Sequence, residues 1–203
     1  MRINISDSCK FVWWNVGAVA SRTTAGILYK YYDMWIKGED EGTPVGFKNY
    51  KDFKENNIHG KYVHEYYTTY KDYTIICSVR NPYSWVVKEF DDRVKQGVIE
   101  DNFEKYIKEL KPESEAPFSQ VIEWEKLGKY PDYYIKFEDL YGSFKNIPVL
   151  ADRANDEVKK AFEWDTWREW KSYYNEELAD TLYNLSVVKK MFEITNYKRD
   201  SWK

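Results

Sequence analysis

The sequence predicts an α/β fold with a mainly parallel central sheet flanked by helices. Three observations carry that expectation. Residues 73–79, YTIICSV, form a β-branched apolar run, continuous enough for a strand buried on both faces. Residues 10–28, KFVWWNVGAVASRTTAGIL, read as strand, small-residue loop and helix. Through the rest of the chain, apolar strand-like runs alternate with segments of helical periodicity, the pattern of a sheet wound with crossover helices.

In chain order, 11–14 is the first strand, and Gly17, Ala18 and Ala20 let the backbone turn tightly before Ser21, Arg22, Thr23 and Thr24 open a helix. That helix is expected over 24–36, followed by the Gly-, Pro- and acid-rich loop 38–46 and a short lysine-rich surface helix over 47–57. Residues 58–67, IHGKYVHEYY, hold both histidines, His59 and His64. After the strand 73–79 come Arg80, Asn81 and Pro82; proline ends the strand and suits a first helical turn, so a helix over 83–95 follows. Helices are expected over 101–110, closed by Lys111 and Pro112, and over 118–127, with Gly128 at its end. A third core strand, 133–137, runs into Glu138 and Asp139, which suit a helix cap. The last helices are 156–162 and 176–192, the latter with an apolar stripe of Leu178, Leu182, Leu185, Val188 and Phe192 behind an Asn175 cap. Trp164, Trp167 and Trp170, at three-residue spacing, read as a packed helical face.

Size and composition bound the function. At 203 residues the chain suits a single domain, 1–203, with a sizeable core and no internal repeat. Lys plus Arg number 31 against 34 for Asp plus Glu, a net charge of −3, which gives no global pull towards nucleic acid or an anionic membrane. Any anion site must therefore be local. Cys9 and Cys77 form no CxxC, so neither a disulfide framework nor a zinc site is indicated, and no metal is expected. No run approaches a membrane span, and the expectation is a soluble, cytoplasmic protein. Aromatic residues make up 19 %; core packing accounts for most, with stacking on a sugar or base as a second use. Trp13 and Trp14 fall in the same way between core and adenine platform.

Two anion corners stand out. Hydroxyls, a guanidinium and unpaired backbone N–H groups gather at the start of the first helix, where the helix dipole also favours negative charge. Arg80 marks a second strand-to-helix junction. In open α/β sheets ligands lie beyond the carboxyl ends of the strands, so if the two strands are neighbours, both corners line one crevice suited to a ligand with two separated phosphate-like groups.

These residues resemble the sulfotransferase superfamily that uses 3′-phosphoadenosine 5′-phosphosulfate, with a likeness to its carbohydrate-type members. Four pieces match in order across most of the chain: FVWWNVGAVASRTT, TIICSVRNPYSWVV, YYIKFEDL and YYNEELADTLYNLSVVKKMFEITNY. The resemblance implies a three-layer α/β fold akin to the P-loop nucleotide kinases. It places Gly17, Ala18, Val19, Ala20, Ser21, Arg22, Thr23 and Thr24 around the 5′-phosphosulfate and Arg80 on the 3′-phosphate, where a bidentate guanidinium suits the anion. The family's serine at the 3′ site falls on Lys88, itself a good phosphate partner. The family's loop lysine, which contacts the departing bridging oxygen, falls on Ala18, so Arg22 becomes the candidate replacement, ahead of Lys88 and Lys10. His59, 21 residues before Arg80, is the candidate general base, with His64 and then Glu65 as alternatives. The implied activity is sulfuryl transfer from that nucleotide, without a metal, to a hydroxyl acceptor, a carbohydrate or another small molecule. The alternative is a catalytically impaired nucleotide-binding protein of the same fold; a kinase, which would need a Walker lysine and a magnesium ligand, ranks last.

Overall fold

The computed structural model describes residues 2–15, 21–36, 70–112, 118–163 and 169–203. They form an α/β structure whose five-stranded sheet has the order β3-β1-β2-β4-β5. The strands are β1 (Arg2–Ser6), β2 (Phe11–Asn15), β3 (Met34–Ile36), β4 (Thr74–Val79) and β5 (Tyr133–Lys136). Two compact units emerge, one of Met1–Val79 with Pro131–Trp164 and the other of Arg80–Tyr130 with Asp165–Lys203.

The sheet is mixed, which corrects the expectation of a mainly parallel one. β2, β4 and β5 run parallel, but β1 pairs antiparallel with β2 and with β3. The reason lies in two short strands. β1 returns into β2 through a tight turn, with Lys10 in the left-handed region (φ 52°), and a hairpin of that kind makes antiparallel neighbours. β3 occupies residues expected to continue the first helix. That helix, α1, spans Ser21–Tyr31 and stops there. Asp33 then accepts hydrogen bonds from the hydroxyls of Ser6 and Ser8 and from the Ser8 N–H at 3.0 Å, which ties the chain to the hairpin and lays Met34–Ile36 beside β1.

Within the first unit the sheet carries its core on the face shared by Phe11, Trp13, Ile76 and Ile135. Ala25, Ile27 and Leu28 of α1 pack there, as do Leu140 and Phe144 of α5 (Leu140–Asn146) and Val158 and Phe162 of α7 (Asp156–Phe162). Between them lies the short α6 (Pro148–Ala151), contributing Leu150. Asp139 caps α5 by accepting from the Gly142 N–H at 3.0 Å, as its place after the third core strand suggested. Trp13 and Trp14 are both core residues, 0 % and 2 % exposed. Trp13 also donates its indole N–H to Ser78 Oγ at 2.9 Å, joining β2 to β4.

The second unit is helical: α2 (Pro82–Lys95), α3 (Phe103–Glu109), α4 (Phe118–Leu127), α8 (Glu176–Tyr183) and α9 (Ser186–Thr195). Edge-to-face aromatic pairs hold it together, Trp85 against Phe118 and Phe103 against both Tyr173 and Tyr174. The single helix expected over 176–192 is two. Asn184 and an extended Leu185 (ψ 125°) break it, and the buried face of α9 becomes Val187, Val188, Met191, Phe192 and Thr195, offset from the Leu178, Leu182, Leu185 row. Asn184 and Ser186, residue types that favour turns and caps over helix interiors, stand at the break. Asn175 caps α8 through the Leu178 N–H, and Gly128 ends α4 with φ 63°, both as the sequence suggested. Among the described residues no helix is long and apolar enough to cross a membrane.

Candidate functional site

Both predicted anion corners follow strands that are direct neighbours. β2 and β4 pair in parallel, with Trp13 beside Ile76 and Trp14 beside Cys77, so their carboxyl ends leave the sheet side by side. The chain passes from β2 towards α1 and from β4 directly into Arg80.

At the first corner, α1 begins at Ser21 with no acidic residue in its first turn, so that turn itself sets no carboxylate against the positive end of the dipole. Arg22 stands in solvent and Thr23 is half-buried. Thr24 is 0 % exposed, and its hydroxyl oxygen is buried without a hydrogen-bond partner among the described residues. A hydroxyl in that state costs roughly 1–3 kcal/mol relative to a satisfied one. Gly17, Ala18, Val19 and Ala20 lie outside the described residues.

At the second corner, the residue types dictate the local geometry. Pro82 disfavours helical backbone at the residue before it, and Asn81 is accordingly extended (ψ 125°), while its side chain caps α2 by accepting from the Tyr83 N–H at 3.0 Å. Pro82 then fills the first helical turn, where no donor is needed. Arg80 is turned inward: it is 2 % exposed, its Nε donates to Ser84 Oγ at 2.5 Å, and its Nη2 is buried as well. Ser84, 1 % exposed, is a site residue that the sequence reading missed. A signal was available: Ser84 and Lys88, four residues apart, share one face of α2, and Arg80 stands four residues before Ser84, just ahead of the helix. Lys88 is ion-paired with Asp92 on the same helix. Its pKa is nonetheless held below the usual lysine value, first by burial and then by the positive charge of Arg80. The two cations thus act on one another.

The candidate bases His59, His64 and Glu65 lie outside the described residues, as do Trp164 and Trp167. Lys10 belongs to the hairpin turn at the amino end of β2, with its Nζ on the Tyr73 hydroxyl at 3.0 Å. That places it at the far end of the strand from Asn15, where the loop departs. A cavity of about 260 Å3 lined by Val98, Ile99, Lys105 and Tyr106 contains none of the predicted site residues. Cys9 and Cys77 are free thiols, and burial pushes the Cys77 pKa far up, which leaves it an inert core group. Among the described residues no cluster of His, Cys, Asp or Glu is suited to hold a metal ion.

Compared with known proteins, the chain matches no family model, no curated protein and no solved structure.

Proposed function

We propose that the protein is a sulfotransferase of the kind its motifs resemble, taking a sulfuryl group from 3′-phosphoadenosine 5′-phosphosulfate and transferring it to a hydroxyl acceptor, a carbohydrate by preference. The observation that supports the reading is the parallel pairing of β2 with β4, which sets the carboxyl ends of these two strands side by side. A P-loop-like, three-layer arrangement is part of the same proposal. Its chemistry needs a loop for the 5′-phosphosulfate, supplied by residues 17–24, and a cation for the 3′-phosphate, supplied by Arg80 with Ser84 behind it and Lys88 two turns along.

In the transfer, the acceptor oxygen attacks sulfur as the bond from sulfur to the bridging oxygen breaks. The acceptor proton passes to His59, or to His64, and 3′-phosphoadenosine 5′-phosphate departs with the electron pair. Charge on the departing oxygen is met by the α1 dipole and by Arg22 in the first turn of that helix. Ala18, in place of the family's lysine, favours a second reading in which the protein binds the nucleotide without transferring sulfate.

Calorimetric titration with 3′-phosphoadenosine 5′-phosphate, against ATP and adenosine 5′-phosphate, tests the donor site. Micromolar binding, about −8 kcal/mol, that depends on the 3′-phosphate supports it; absence of such binding removes the proposal. A sulfate-transfer assay on carbohydrate acceptors then separates the enzyme from the binding protein.

A further inference from the structure

We propose that the segment 197–203 is a positioning element for Arg80, docking on the first turn of α2 and holding the guanidinium where it takes the nucleotide's 3′-phosphate. The inference rests on the donor reading above and assigns a role to a segment that, apart from Tyr197, lies outside the matched pieces. α9 ends at Thr195, and Asn196, in the left-handed conformation (φ 54°, ψ 38°), turns the chain back. The returning chain closes a turn, with the Ser201 N–H donating to the Lys198 carbonyl at 3.1 Å. Two hydrogen bonds fasten that turn to α2. Asn81 Nδ2 donates to Ser201 Oγ at 2.7 Å, and the Tyr83 hydroxyl donates to the Arg199 carbonyl at 2.9 Å. Arg199 is anchored from the other side by an ion pair with Asp180 and by its position over the Tyr183 ring, 5.4 Å from the centroid.

The residues gripped are those that set Arg80. Asn81 is its chain neighbour and uses one amide for two tasks: the oxygen caps α2 and the nitrogen holds Ser201. Tyr83 is 0 % exposed and lies directly before Ser84, the Nε partner of Arg80. Separations of 120 and 116 residues mean that no local propensity enforces these contacts, so docking is decided by tertiary packing. A ligand that needs Arg80 in place binds the docked form better, and by reciprocity it stabilises docking.

The test compares the wild type with the double variant Ser201→Ala, Tyr83→Phe, titrated with 3′-phosphoadenosine 5′-phosphate and, separately, with adenosine 5′-phosphate. Loss of two hydrogen bonds should weaken the first ligand by about tenfold and leave the second unchanged, because only the first engages Arg80. Ser201→Thr, which keeps the hydroxyl, should bind like the wild type, and the 3′-phosphorylated ligand should slow amide hydrogen exchange over 198–202. A double variant that binds the 3′-phosphorylated ligand normally overturns the positioning role, as does equal weakening of both ligands, the mark of a merely structural part. A wild type that fails to discriminate the two ligands overturns the donor reading itself, and the positioning role with it.

Discussion

At the start of α1 the charged side chain, Arg22, stands in solvent and the buried polar group is the neutral hydroxyl of Thr24; at the start of α2 the charge itself, on Arg80, is inside the protein. The difference follows from what precedes each helix. Arg80 comes straight off a strand whose residues from Ile75 to Val79 are all buried, and Asn81 and Pro82 fix the turn that follows it. A guanidinium held that way has already lost its rotamer freedom, so an anion that meets it is spared that ordering cost. Arg22 keeps its freedom and its water, and a contact with it is screened and weak until a ligand closes over it. On the proposed function, the buried arginine is the one to supply affinity and selection of a 3′-phosphate, and the exposed one to meet charge that develops during transfer.

The largest expected effect comes from removing what the two corners share. Trp13→Ala takes away the β2 side chain that fills the core and bonds to Ser78 of β4, and should cost about 3–5 kcal/mol in chemical denaturation. A cost below about 1 kcal/mol would show that the two strands do not depend on that contact. Next, Arg80→Ala should weaken calorimetric binding of 3′-phosphoadenosine 5′-phosphate about ten- to a hundredfold, the range for hydrogen bonds to a charged group. Arg22→Ala should weaken it less than about threefold yet lower turnover in a sulfate-transfer assay by about a hundredfold. Equal losses of affinity in the two variants would erase the distinction between the corners.

A smaller effect of opposite sign is expected at Thr24. Thr24→Val keeps the shape and removes the buried hydroxyl, so thermal unfolding should report about 1 kcal/mol of added stability, accompanied by weaker nucleotide binding. Added stability with unchanged binding would mean that the hydroxyl serves no ligand. The smallest effect tests a place remote from both corners, the turn at the amino end of β2. Burial pushes the Asp33 carboxyl up, but the Ser6 and Ser8 hydroxyls and the Ser8 N–H outweigh it and hold its pKa below the usual value. Its contribution is therefore present above the ordinary carboxylate pKa of about 3.9 and is lost as pH falls through the lower folded value. Asp33→Asn should cost roughly 1 kcal/mol near neutrality, with the difference from wild type closing in acid. Denaturation curves at pH 7 and pH 3 check the sign, and a constant difference would exclude a charge effect.

The chain's local signals were enough for much of this. YTIICSV announces a strand buried on both faces, Asn81 and Pro82 announce the helix after it, and Gly128 and Asn175 mark a helix end and a helix start, because each acts on backbone within a turn of itself. Arg80 could be singled out from its place at a strand end. Other features depend on residues far away in sequence, and there local reading had no purchase. Met34–Ile36 becomes a strand only because β1 is there to pair with it, and Asp33 is held by serines some 25 positions earlier. The break at Asn184 follows from how two helices cover one core, which a single apolar stripe does not reveal. The burial of Arg80, its bond to Ser84 and the grip of Ser201 and Arg199 on the start of α2 were likewise decided by packing, since burial is a property of what the rest of the chain brings to a residue and not of the residue itself.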